Sequence, residues 1–299
     1  MRKSNKTAER CTDAASYAMM APWLLFFLLF TVIPIGLSFM FSFTGFNMLQ
    51  APRPVGLSNY LRLFLEDDVF LTALKNTILF ALITGPVGYL LSFAVAWMIN
   101  DCGKIARPLL TLLFYSPSLA GNVYFIWIYI FNGDSYGALN GLLLRFGLLH
   151  EPVQWLTDTR TSFAVCVVVL LWLSMGAGFL AFLAGFRSLD RSLFEAAAID
   201  GIRNRFQEMW YVTLPQMIPQ LLIGAVLSVS GAFATGYQNM VLTGFPSTDY
   251  STHTWVLHIL DHGYYRFEMG YACASAVLLF AVMLCSWRLI ERALSRIGT

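Results

Sequence analysis

The chain has 299 residues, 58% of them hydrophobic and only 12% charged, with a mean hydropathy of +0.64 and a formal net charge of +2. Soluble domains carry about 25% charged residues, so this composition excludes a soluble globular domain and describes an integral membrane protein. So even a charge balance, with no basic run interleaved with aromatics, also excludes nucleic-acid binding.

A helix needs about 20 mainly apolar residues to cross the hydrocarbon core, and six windows qualify, at roughly 18–43, 71–99, 108–131, 161–185, 218–243 and 270–288. Residues 1–17 precede them as a polar tail, and residues 18–299 read as one membrane domain. The first window is too long for a cleaved signal peptide and stays as an anchor. The fold class is therefore an all-α integral membrane protein with six transmembrane helices. Arg2, Lys3, Lys6, Arg10, Lys104, Arg107, Arg187, Arg191, Arg203, Arg205, Arg288, Arg292 and Arg296 fall on one side, against Arg53, Arg62, Lys75, Arg145, Arg160 and Arg266 on the other. That bias places both termini in the cytoplasm. The outer loops, at roughly 44–70, 132–160 and 244–269, are too plain for separate domains, and no convincing internal repeat is present.

The second window carries no ionisable residue beyond Lys75 at its outer edge, and none of the spans has one near its centre. Proton- or ion-coupled transporters usually keep such groups within the membrane despite a cost of about 2.5 to 3.5 kcal/mol each. Inverted repeats with broken helices are not apparent either. An ion-coupled secondary transporter or channel remains the alternative reading, since carbonyls alone can hold Na⁺. The fourth and fifth windows carry small, weakly polar stripes on one helix face: Ser174, Gly178, Ala181 and Gly185, then Gly224, Ser228, Gly231, Thr235 and Gln238. These serve either close helix packing or a solute path.

Between the fourth and fifth spans lies the longest inner loop, LFEAAAIDGIRNRFQEMWYVTLPQMIP, residues 193–219. Ser192 and Glu195 have capping-box spacing, so a short helix is expected from Leu193. Gly201 stands where a helix ends in a left-handed turn. A second helix is expected from Arg205 to Thr213, until Pro215 stops it. The pair would present Ala196, Ala197 and Ala198 to another protein. Beyond this loop the chemistry is sparse. The five cysteines, Cys11, Cys102, Cys166, Cys273 and Cys285, form no CxxC pair. No phosphate-binding loop accompanies Gly103-Lys104, and no HExxH or nucleophile elbow occurs. His258 and His262 stand at i and i+4 with His253 upstream, a spacing read as surface or capping histidines rather than a metal site.

The loop resembles the signature of the membrane subunits of bacterial ABC importers: Glu195-Ala196-Ala197, then Asp200-Gly201, then Val212, Leu214, Pro215 and Pro219. Val212 and Leu214-Pro215 stand one residue farther from Gly201 than in the common pattern. FLAFLAGFRSLDRSLFEAA upstream, GLSNYLRLF at 56–64, Val241-Leu242-Thr243-Gly244 and MGYACASA at 269–276 are similar to the maltose-transporter-like carbohydrate branch. The resemblance implies a type I importer transmembrane fold, with the loop as a cytoplasmic coupling helix, in a bacterial plasma (inner) membrane. It implies a permease subunit of a binding-protein-dependent sugar importer that does no covalent chemistry. Its partners would be a second related permease, two ATP-binding subunits that hold ATP and Mg, an extracytoplasmic solute-binding protein, a carbohydrate and membrane lipid. Glu195, Ala196, Ala197, Asp200, Gly201, Leu214 and Pro215 would couple to the ATPase. Ser174, Ala177, Ser228, Gly231, Ala232 and Thr235 fall near the substrate contacts of that branch.

Overall fold

Apolar runs long enough to span a bilayer must hydrogen-bond their own backbone, which favours helices. The computed structural model describes Tyr17, residues 19–121 and residues 123–295, without the side chains of 293–295. The expected tail at 1–17 lies, Tyr17 apart, outside the described residues. Regular structure among the described residues is helical, apart from one isolated bridge between Thr44 and Pro54. Four helices are long and apolar enough to cross a membrane, or up to six if each of two bent pairs counts as one span. The chain divides into two units, one of residues up to Glu66 with Ile259–Leu278, the other of Asp67–His258 with Leu279 onward.

The first unit begins with α1, Met19–Phe41. A π turn at Leu28–Val32 precedes Pro34. Proline has no N–H and its ring crowds the carbonyl four residues back, here Phe30, so the widened turn lets the helix run through. After Ser42 the chain doubles back in a hairpin, with Gly45 N–H donating to Arg53 O at 2.8 Å and Val55 N–H to Phe43 O at 2.9 Å. It then forms α2, Ser58–Leu65. In the 259–278 segment, Glu268 accepts from Arg62 Nη1 at 3.1 Å, and its Oε2 lies 2.7 Å from His262 Nδ1.

The second unit opens with α3, Asp68–Asn100, capped by Asp67, whose Oδ1 accepts from Phe70 N–H at 2.9 Å. Next come α4, Ala106–Leu119, and α5, Tyr124–Ile130, which meet at an 89° bend, so the third apolar window is not one straight helix. After α6, Ala138–Arg145, the fourth window appears as α7, Ser162–Leu173, and α8, Ala177–Ser188. Two loop helices follow, α9, Arg191–Ile199, and α10, Arg205–Gln216, then α11, Ile218–Phe233, and α12, Tyr237–Thr243. The chain continues through α13, Trp255–Leu260, to α14, Met269–Ser295, of which the residues through Leu278 belong to the first unit. Helices α3, α8 and α11 pack on one another, around Ala96, Ile99, Phe179, Phe182, Phe186, Met217 and Leu221. A second cluster joins Phe80 to Val165, Cys166, Val169, Leu170 and Leu242.

Two expectations are corrected here. The fourth and fifth windows do contain broken helices, at 174–176 and 234–236, each beside a glycine within a small-residue run. The carbonyls freed by the breaks are bonded by side chains from elsewhere: Ser92 Oγ donates to Ser174 O at 3.2 Å, Ser118 Oγ to Met175 O at 3.0 Å, and Thr254 Oγ1 to Thr235 O at 2.7 Å. The histidines are not surface residues, since His253, His258 and His262 are all buried. His258 Nε2 lies 3.4 Å from Asp67 Oδ2. A period-four spacing of histidines fits an inward helix face as well as an outward one, so spacing alone could not decide.

The loop after α5 is organised by one fully buried side chain, Asn140. Its amide nitrogen donates to Asn132 O, Asp134 O and Val153 O at 3.2, 3.3 and 3.0 Å, and its oxygen accepts from Val153 N–H and Trp155 Nε1 at 3.2 and 2.8 Å. Asn140→Asp replaces the donor with an oxygen facing three carbonyls, at a cost of about 2 to 4 kcal/mol. Limited trypsinolysis at exposed Arg145 should accelerate at least roughly tenfold, taking 1.4 kcal/mol per decade; an unchanged cleavage rate would show the loop is held by something else.

Candidate functional site

All six residues expected to lie near a solute path line one cavity of about 280 Å³: Ser174 and Ala177 from the break and start of α8, Ser228, Gly231 and Ala232 from α11, and Thr235 from the second break. Gln238 of α12 and Thr84 of α3 complete its polar lining. Among the described residues no charged side chain lines it. Thr84 Oγ1 donates to Phe80 O at 2.7 Å, Ser174 Oγ to Leu171 O at 2.7 Å and Thr235 Oγ1 to Gly231 O at 3.3 Å. These three hydroxyls thus spend their hydrogens on backbone carbonyls and keep acceptor lone pairs. The cavity is neutral and weakly polar, suited to an uncharged solute that hydrogen-bonds to hydroxyls and to the Gln238 amide.

The small-residue stripes divide their labour along their length. Toward the loop they pack: a Cβ on Gly224 would stand 2.4 Å from the Phe182 ring, and one on Gly185 would stand 2.7 Å from Met217 Cε. Toward the breaks they line the cavity, where a Cβ on Gly231 would meet nothing within 4 Å. Packing and cavity lining are therefore both served, by different parts of the two stripes. Thr84 was missed by the sequence reading, although Thr77, Thr84, Gly88 and Ser92 in the second window repeat the same small-polar spacing and are all buried.

The second feature is the bent loop. Its first helix starts two residues earlier than expected because Asp190, not Ser192, is the cap, accepting from Ser192 N–H at 3.0 Å. That backbone bond, and then the Ser192 hydroxyl, hold the Asp190 carboxyl below the usual carboxylate range. The helix ends as a Schellman motif: Ile202 N–H donates to Ala197 O at 3.0 Å and Gly201 N–H to Ala198 O at 3.3 Å, with Gly201 at φ +93°. Glu195, Ala196, Ala198 and Asp200 are exposed, whereas Ala197 is buried. The expected three-alanine face thus presents only two, as a helical rotation of about 100° per residue requires.

Helix α10, capped by Asn204 through Phe206 N–H at 3.1 Å, is not stopped by Pro215. The π turn Met209–Thr213 stands just ahead of that proline, as at Pro34, and the helix runs on to Gln216. The stop comes at Met217, fully buried, where the chain turns 83° into α11 with Pro219 in its first turn. Leu214 packs on the cluster of α3 and α8, while Pro215 is exposed. Sequence reading also missed the tie between this loop and α3. Asp101 follows the last residue of α3, and an acid at a helix C-terminus is disfavoured by the dipole. Arg205 pairs with it, and Phe206 lies 5.6 Å from the Trp97 ring. The only signal in the sequence was that misplaced acid.

Residues 88–296 match the family model described as "Binding-protein-dependent transport system inner membrane component". The chain is 30% identical over 289 residues to the "Probable ABC transporter permease protein YesP" of Bacillus subtilis (strain 168), covering 95% of this chain and 90% of that one. It is 27% identical to the "Lactose transport system permease protein LacF" of Rhizobium radiobacter, covering 94% and 93%. One chain in the crystal structure of a bacterial alginate ABC transporter in complex with alginate pentasaccharide-bound periplasmic protein shares the fold, with a TM-score of 0.80, 22% identity and 98% of each chain covered.

The divided stripe makes a direct prediction. Gly224→Ala must displace the Phe182 ring and should cost about 1 to 3 kcal/mol as overpacking, whereas Gly231→Ala, entering open space, should stay within about 0.5 kcal/mol. Thermal unfolding of the two variants in detergent compares them; equal midpoints would contradict the division.

Proposed function

Because the chain belongs to the family of binding-protein-dependent transport system inner membrane components, and is a multi-pass permease subunit of an ABC importer, we propose that it forms half of a carbohydrate path and is driven by a separate ATPase. The observation that carries this reading is the neutral cavity lined by Ser174, Ala177, Ser228, Gly231, Ala232 and Thr235. A polyhydroxylated solute offers many O–H donors and no charge, which suits hydroxyl oxygens with free lone pairs. The named activities of the relatives, lactose and arabinooligosaccharide transport among them, agree with that chemistry.

In this reading six spans cross the membrane, each bent pair counting as one, with both termini in the cytoplasm. A second related permease supplies the other half of the path, two ATP-binding subunits carry ATP and Mg, and a solute-binding protein delivers the sugar from outside. The loop 190–217 is the dock for the ATPase. Ile199, Phe206, Trp210 and Tyr211 are exposed around it, more apolar surface than one solvated loop should leave bare. Glu195, Ala196, Asp200 and Gly201 shape the docking helix, and Leu214 and Pro215 carry its displacement into the bend at Met217. The Asp101–Arg205 pair carries part of it to α3, which also lines the cavity through Thr84. The cavity then alternates between the two faces of the membrane.

Reconstitution tests the class. Uptake should require the partner subunits and ATP; uptake by this chain alone, abolished by a protonophore or by removing Na⁺, would favour an ion-coupled porter. A Cβ at Gly201 meets no neighbour within 4 Å, so the main cost of Gly201→Val is the left-handed backbone, about 1 to 2 kcal/mol. The complex should still assemble, with uptake per ATP falling several-fold; wild-type coupling in that variant would remove the loop from the transmission. Asp101→Arg and Arg205→Asp should each lower the same ratio about two- to five-fold, since an exposed pair contributes at most about 1 kcal/mol. The double variant should recover most of the loss.

A further inference from the structure

Helix α2 carries an apolar stripe that no span accounts for. Leu57, Leu61 and Leu65 repeat at four-residue steps with Phe64 beside them, and all four are exposed, from 48% at Phe64 to 76% at Leu65. The opposite face is fastened down. Asn59 Nδ2 donates to Ser42 O and Thr44 O at 2.8 and 3.0 Å, Tyr60 OH donates to Ser42 Oγ at 2.8 Å, and Leu63 is fully buried.

Those bonds fix the level of α2 relative to the membrane. Ser42 directly follows the last residue of α1, a 23-residue apolar helix, which at 1.5 Å per residue is about 34 Å long and just crosses a hydrocarbon core of about 30 Å. Ser42 therefore stands at the membrane boundary, and α2 lies one side chain away from it. Eight residues are too few to cross. The stripe holds no glycine, alanine, serine or hydrogen-bonding side chain, the types that dominate helix contacts between membrane subunits. Bulky leucines without such partners suit acyl chains instead.

The charge on α2 is turned away from the stripe. Arg62 pairs with Glu268 at 3.1 Å and lies 4.4 Å from the Tyr271 ring centroid. Burial pushes the Glu268 carboxyl up, but hydrogen bonds from Arg62 and His262 and their charges outweigh it and hold it below the usual carboxylate range.

We propose that α2 is an interfacial helix, with Leu57, Leu61, Phe64 and Leu65 seated in the lipid bilayer at the boundary where α1 ends. This rests on α1 crossing the membrane and not on the transport cycle. The test uses the full chain, its five cysteines replaced by alanine, in the assembled complex in phosphatidylcholine–phosphatidylglycerol vesicles without sugar or ATP. Bimane is attached at Leu61→Cys, at Leu65→Cys, at Tyr136→Cys as a solvent-exposed reference and at Phe30→Cys on α1. Lipid with a doxyl group at the 5-position should quench the 61 and 65 labels at least twofold more than the 136 label, and iodide should do the reverse. Iodide quenching at 61 and 65 equal to that at 136 would overturn the proposal in favour of a solvated face. Protection from both quenchers would overturn it in favour of a protein partner. If Phe30→Cys is quenched by lipid and the other two are not, only the interfacial helix fails; if none is quenched, the membrane reading of α1 fails with it. Agreement between positions 61 and 65 guards against one poorly folding variant.

Discussion

A backbone carbonyl left without a partner at membrane depth costs several kcal/mol, and this constraint governs where the cavity can be. The helices α7/α8 and α11/α12 are interrupted at 174–176 and 234–236, and each interruption frees groups that an unbroken helix would have satisfied. Ser118 and Thr254 supply donors to Met175 O and Thr235 O, and Ser92 adds a second donor to Ser174 O, which also accepts from Gly176 N–H at 2.8 Å. The cavity opens beside these breaks because there the helices stop packing as continuous rods and Ser174, Thr235 and Gln238 can face an open space. Replacing any of the three hydroxyl donors with an apolar residue would therefore act on the cavity without touching its wall.

The overall plan was readable from composition and window length, because both report the same requirement, a bilayer's thickness. The loop was readable because glycine at φ +93° and the residues around it obey local rules that survive any tertiary context. What escaped the sequence reading was non-local. Asp190 displaced Ser192 as cap because a cap is chosen by the path of the preceding chain, which here leaves α8 in an extended conformation at Leu189. The breaks escaped because an isolated Ser174-Met175-Gly176 is compatible with helix unless Ser92 and Ser118 are known to be waiting. The burial of the histidines escaped because spacing at i and i+4 places His258 and His262 on one helix face without saying whether that face points inward or outward.

Two of the prolines that did not break their helices share one device, whereas Pro86 within α3 and Pro117 within α4 have no π turn before them. Pro34 and Pro215 each follow a π turn, Leu28–Val32 and Met209–Thr213. A widened turn displaces the carbonyl that a proline ring would otherwise strike, so the rod continues with one fewer hydrogen bond. In α1 this keeps a span at full length. In α10 it keeps the helix continuous up to Gln216, which moves the turn of the loop from Pro215 to the buried bend at Met217.

That displacement matters for how the loop can transmit force. A hinge at exposed Pro215 would let α10 swing while α11 stayed still. With the turn at Met217 instead, the corner is buried on Phe182 and Phe186, and the Cβ clearance at Gly185 and Gly224 is already used up. Close-packed interiors deform little and shift as blocks. In the proposed reading, a push on α9 and α10 would therefore move α11 and the α3–α8 cluster together, and the wall at Ser228, Gly231 and Thr84 with them.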